Sequence, residues 1–146
     1  SSLAINEKEH QHVASLLQIV SDIERISDYC ENISEYAENL ANQKKKFSGV
    51  GAAEMKEMLE VCSDSFTYAV EAFEENSAEK ALKVIEKERS ADDLEIRLRA
   101  DHMQRLANKQ CDTEAGIVFL DALVGLERIS DHSRNIAEEV LSASNK

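Results

Sequence analysis

Apolar residues recur along this chain at three- and four-residue steps over four long stretches, separated by short polar or glycine-bearing breaks. In the first stretch Leu16, Ile19, Val20, Ile23, Ile26, Cys30, Ile33, Ala37 and Leu40 form one stripe, which predicts a helix from about Ala4 to Lys46. Lys44, Lys45 and Lys46 then occupy its last turn, where cations suit the helix dipole. Ser48-Gly49-Val50-Gly51 breaks the pattern. Met55, Met58, Leu59, Cys62, Phe66, Ala69, Val70 and Phe73 mark the buried face of a second helix, from about Ala52 to Glu75. Asn76 is placed to cap a third helix, from about Ser77 to Asn108, with Glu79 completing a capping box. Its expected apolar face is Leu82, Ile85, Ile96, Met103 and Leu106, with Glu88, Asp92 and Arg99 in the same phase. Asp112 or Thr113 caps a fourth helix that runs to about Leu141 and leaves Ser142 to Lys146 as a fraying tail. Phe119, Ala122, Leu123, Leu126, Ile129, Ser133, Ile136 and Val140 face inward on it.

Four helices with short connections imply an all-α fold, an antiparallel up-down bundle of four helices forming one domain over residues 1–146. The absence of Pro agrees with that class. A net charge of -12 argues against nucleic acid or anionic membrane as direct partners, and it favours cations and basic protein surfaces. Cys30, Cys62 and Cys111 have no metal-type spacing and fit reduced thiols. No apolar run is long enough to span a bilayer, so no direct membrane insertion is expected. The chain begins inside a helical pattern without an initiator Met, which suggests a piece of a longer protein.

The chemistry-bearing residues lie in a repeat. Glu127-Arg128-Ile129-Ser130-Asp131 and its continuation to Ile136 echo Glu24-Arg25-Ile26-Ser27-Asp28 and its continuation to Ile33, at a constant offset. Each copy places a Glu and an Asp four residues apart, on one side of a helix. Glu88 and Asp92 repeat that spacing on the third helix, where a core would want Leu. With ~1.5 Å of rise per residue, Glu88/Asp92 and Glu127/Asp131 come out at one level, roughly 12–18 and 8–14 Å above the first turn. Glu24/Asp28 comes out higher, at roughly 27–33 Å, near Glu71, Glu79 or Glu138 or an absent segment. The six carboxylates Glu24, Asp28, Glu88, Asp92, Glu127 and Asp131 are therefore candidate ligands for a hard cation, with iron, zinc, manganese or magnesium as the candidate ions. The competing reading pairs them with Arg25 and Arg128, or with Arg89 and Arg99. A carboxylate-bridged di-iron enzyme needs Glu-x-x-His on two helices, and here that pattern occurs only as Glu7/His10 and Glu9/His12, near the frayed start. No nucleophile–base arrangement, phosphate loop or nucleotide fingerprint is present, so no enzyme activity is expected. A purely structural dimerisation bundle, and hence a homodimer, is a further alternative.

The run Leu126-Glu127-Arg128-Ile129-Ser130-Asp131-His132-Ser133-Arg134-Asn135-Ile136-Ala137 resembles the signature of the PhoU family of phosphate-transport regulators, and Ile23 to Ser34 is a looser copy with Tyr29 in place of the His. The resemblance implies a fold of paired three-helix bundles. On it the first helix corresponds to the last helix of one repeat, and the other three to a complete second repeat. It also implies metal ligands at Glu24, Asp28, Glu127 and Asp131, with Glu88 and Asp92 as additions. Family members act at the cytoplasmic face of the inner or plasma membrane. Some are free regulators of a phosphate transporter that act through protein contacts. Others are C-terminal cytoplasmic domains of sodium-dependent phosphate cotransporters, and the missing helices favour that cotransporter tail here. The expected partner is then a membrane transporter domain of the same chain, or a separate phosphate transporter.

Overall fold

The computed structural model describes residues 2–144, with side-chain surroundings from residue 6 on. It consists of α1 (Ser2–Asn42), α2 (Gly49–Glu75), α3 (Ala78–Ala107) and α4 (Thr113–Ser144), running up and down in turn. Helices α2, α3 and α4 pack against one another, while among the described residues α1 packs against α4 alone. This makes α4 the central element, and each of its expected inward residues, from Phe119 to Val140, is buried.

The stripe on α1 is covered only in part. Ile19, Ile26 and Leu40 are buried, but Val20 and Ile23, expected to face inward, are 50% and 44% exposed. Cys30 and Ala37 are exposed as well. The stripe is broad enough for several neighbours and meets one. At the repeat offset the buried Ile19 and Ile26 correspond to Ala122 and Ile129 of α4, and the bare Val20 and Ile23 correspond to Leu123 and Leu126, which α4 buries. Helix α1 thus has the sequence of an inner helix on a side where α4 has α2 and α3.

Helix α3 turns a different face inward from the one its apolar residues suggest. Its buried residues are Ala81, Val84, Glu88, Ala91, Leu94, Leu98 and His102. Leu82, Ile96 and Met103 are more than half exposed. The reason is close packing. Ala69, Ala72, Ala81, Ala91, Ala122 and Ala137 are all buried, and small residues let helices approach more closely than a Leu-lined face allows. On α2, Met55, Met58, Cys62 and Ala69 are buried as expected, while Leu59 and Phe73 lie on the surface.

The helix ends also differ from expectation. Helix α1 stops at Asn42, and Lys44 adopts a left-handed conformation (φ 57°) instead of continuing the last turn. Lys45 spans to Asp112 (3.5 Å) and Glu114 (3.0 Å), fixing the end of α1 to the start of α4. Asn76 ends α2 in a left-handed conformation (φ 50°), and Ser77, not Asn76, caps α3 by accepting from the Lys80 N–H at 3.2 Å. Asp112 caps α4 as expected, accepting from the Ala115 N–H at 2.9 Å. Helix α4 continues to Ser144, and the rest of the expected tail, Asn145 and Lys146, lies outside the described residues.

His102 closes the turn end of the core. Its Nε2 lies 2.9 Å from the Gly116 carbonyl, which requires a proton on that nitrogen, and its ring stacks on Phe119 at 4.1 Å. Arg105 pairs with Glu54 beside it at 2.5 Å.

Candidate metal centre

Glu88 and Asp92 sit one helical turn apart on α3, and Glu127 and Asp131 one turn apart on α4. Because α3 and α4 run antiparallel in contact, the two pairs face each other across one interface. One carboxylate oxygen from each of Glu88, Asp92 and Asp131 lies within 4.8 Å of the other two. Glu88 is buried, and Asp92, Glu127 and Asp131 are half-buried. The floor of the cluster is Cys62 of α2, whose thiol donates to the Leu126 carbonyl at 3.3 Å.

Acids this close raise one another's proton affinity. Glu127 is pushed up to about 7, first by burial and then by the charge of Asp131. Asp92 is pushed up to about 6, by burial and by hydrogen bonding to Glu88. Asp131 is raised too, chiefly by burial. Burial and the charges of Glu127, Asp131 and Asp92 push the Cys62 thiol up to about 12, so it stays protonated and unreactive.

Among the described residues one cation, Arg134, is in direct contact with the cluster. Arg134 Nη1 lies 2.7 Å from Glu88 Oε2, and the same guanidinium reaches Glu138 at 2.9 Å. The arginines expected as competitors behave differently: Arg99 pairs with Glu95 in its own helix, and Arg25, Arg89 and Arg128 are exposed. Arg134 was legible as the residue one turn after Ser130, on the same side as Glu127 and Asp131. Arg134 on Glu88 and the exposed Arg128 near Glu127 and Asp131 offset only part of the charge of four carboxylates, and the net negative site of oxygen donors that remains suits a hard divalent or trivalent cation.

Glu24 and Asp28 are not part of this cluster. Both are exposed on α1, and neither makes a side-chain hydrogen bond or ion pair among the described residues. A different acid of α1 is buried. Asp22 is 1% exposed. It accepts from His132 Nδ1 at 2.9 Å, from Asn135 Nδ2 at 3.2 Å and from Gln18 Nε2 at 3.3 Å. The spacing of Ile19, Asp22 and Ile26 already puts Asp22 in the core phase of α1. That was the same signal that singled out Glu88.

The sequence profile of the PhoU domain matches residues 2–37 and 55–140, which takes in both repeat copies and all four helices. The chain belongs to the PhoU domain family. It is similar to the Thermotoga maritima protein named phosphate-specific transport system accessory protein PhoU homolog 1, with 29% identity over 138 residues. That alignment covers 92% of this chain and 57% of the relative. The crystal structure of PhoU from Pseudomonas aeruginosa superposes with a TM-score of 0.86 at 25% identity, over 94% of this chain and 65% of that one. The chain therefore spans less than two thirds of the length of either PhoU protein. Among the described residues no helix is long and apolar enough to cross a membrane.

Proposed function

We propose that this PhoU domain is a non-enzymatic regulator of phosphate transport that acts through protein contacts, with a metal-binding centre at Glu88, Asp92, Glu127 and Asp131. The observation that carries the metal reading is the convergence of three carboxylates from two helices within 4.8 Å. Their raised proton affinities add to it, because a bound cation would remove the repulsion that raises them. Arg134 would hold one oxygen of Glu88 at the edge of the site, while the converging oxygens of Glu88, Asp92 and Asp131 would meet the ion, with Glu127 beside them. Iron, manganese, magnesium and zinc are the candidates, and the all-oxygen donor set favours the harder ions. The metal would tie α3 to α4 and so stiffen the helix on which α1 rests. The regulatory reading is supported by the likeness to the T. maritima protein, which is named as an accessory protein of a phosphate-specific transport system. Its place of action would be the cytoplasmic face of the membrane, against a phosphate transporter. Attachment to a sodium-dependent cotransporter rests on the sequence resemblance alone, and no contact described above favours it.

The test is elemental analysis of protein purified without chelator and of protein loaded with iron, manganese and zinc, beside a Glu127→Gln/Asp131→Asn variant. Stoichiometric metal in the parent and little in the variant is the expected result. A parent that takes up no metal under any loading overturns the metal centre and leaves regulation to protein contacts alone.

A further inference from the structure

The offset that aligns the two repeat copies also describes how they meet. Tyr29 and His132 are counterparts, and their rings stack on each other with centroids 6.0 Å apart. Ile33 packs over Gly125, where an added Cβ would come within 3.0 Å of it, and Gly125 is the counterpart of Asp22. Asp22 in turn meets His132 and Asn135, the counterparts of Tyr29 and Asn32. Ser15 donates to Glu139, the counterpart of Tyr36, at 2.8 Å. Helices α1 and α4 are thus related by a local two-fold axis passing beside Tyr29 and His132, as two subunits are in an isologous dimer. A surface of this kind has three ways to pair: α1 on α4 within a chain, α4 on the α4 of a second copy, and α1 on a second α1.

We propose that Asp22 and His132 are the pair that selects among these, making α4 take α1 and refuse the same face of a second copy. The local axis states what each alternative would bury. With α4 on α4, His132 and Asn135 face Gly125 of the second copy, which has no side-chain acceptor, and Glu139 faces Val118. With α1 on α1, Asp22 faces Tyr29, Asn32 and Ile33 of the second copy, none of which is a cation. Only α1 on α4 sets a buried carboxylate against an imidazole and an amide. An unpaired polar group costs more than a paired one gains, most at the buried Asp22 and less at the half-buried His132 and Asn135. The discrimination therefore comes from the two rejected pairings, as a polar residue in a coiled-coil core selects its partner. The covalent link through α2 and α3 adds effective concentration to the same choice.

The test uses the full chain with Asp22→Asn, which keeps the shape and removes the charge, and Asp22→Gly, which gives α1 the residue of α4. Hydrogen exchange of α1 amides and sedimentation across a concentration series are the readouts. Both variants are expected to exchange α1 amides roughly tenfold faster than the parent, with α2 and α3 unchanged. Both are also expected to be enriched in a two-copy species. Adding His132→Gln to Asp22→Asn is expected to change neither readout further. Unchanged α1 exchange overturns the proposal, as does faster exchange with no gain in two-copy mass, or an additive loss in the double variant. If Asp22→Gly loses protection in α2 and α3 as well, it has unfolded, and the isosteric Asp22→Asn decides.

Discussion

Replacing Glu127 with Gln should stabilise the metal-free protein at neutral pH. Glu127 titrates near 7 in the folded chain against an ordinary value of 4.5. An acid whose folded pKa lies above its unfolded one binds protons more tightly when folded. Stability is then greatest below about 4.5 and falls as pH rises towards 7. Taken at face value, that shift corresponds to ~3 kcal/mol of destabilisation at pH 8. Glu127 is half-buried, and solvent screening reduces the figure to ~1–2 kcal/mol. The amide keeps the shape and loses the charge, so it recovers that amount. For a chain of this size the melting temperature should rise by roughly 3–6 °C at pH 8. At pH 4.5 the carboxyl is already protonated, and parent and variant should melt together. The assay is thermal unfolding followed by circular dichroism, with chelator present, from pH 4.5 to 8. Added manganese should reverse the order at pH 8, because the parent keeps the fuller donor set. A Glu127→Gln variant that melts lower than the parent at pH 8, or a parent whose stability rises from pH 5 to 8 without metal, would refute the claim that repulsion dominates this cluster.

Arg134→Ala should cost ~2–3 kcal/mol, because it leaves Glu88, with a side chain only 7% exposed, charged and unpaired. Adding Glu88→Gln should recover most of the loss in denaturant titration, and a double variant no better than the single would count against the pair. With a thiol reagent under native conditions Cys30, which is exposed, should react at once, while Cys62, buried beneath the acids, should react only on unfolding. Peptide mapping of the labelled sites would separate the two.

The fold was legible where burial and hydropathy agree. Helix α4 has neighbours on three sides, so its apolar stripe from Phe119 to Val140 had to face inward, and its phase could be read directly, even though Ile117 and Val124 off the stripe are exposed. Helix α3 was misread because its inward face mixes Ala81, Val84, Glu88, Ala91 and His102 with Leu94 and Leu98, whereas Leu82, Ile96 and Met103 project from its surface. Hydropathy ranks Ile above Ala, but helix approach distance ranks Ala first, and no periodicity carries that preference. Helix α1 was misread for another reason. Its sequence is that of an inner helix, and how many neighbours cover it is not a local property.

The site was legible in part for the same reasons. Two acids at one helical level on adjacent helices had to meet if the helices were antiparallel, so Glu88, Asp92 and Asp131 could be placed from rise per residue. Glu24 and Asp28 share their motif with Glu127 and Asp131 but lack facing acids, because no α3 equivalent lies against α1. A ligand set is a property of two helices, and a motif supplies one of them. Asp22, His132 and Asn135 show the reverse case. The repeat displayed His132 and Asn135, with Asp22 standing just ahead of the other copy, but reading each copy for its own metal face hid that the copies face each other. His132 and its counterpart Tyr29 are the first of three consecutive positions at which the copies diverge, and the buried carboxylate of Asp22 is set against His132. The identical residues of a repeat mark what each copy does alone, and the differing ones, where they meet across an axis, mark how the copies are told apart.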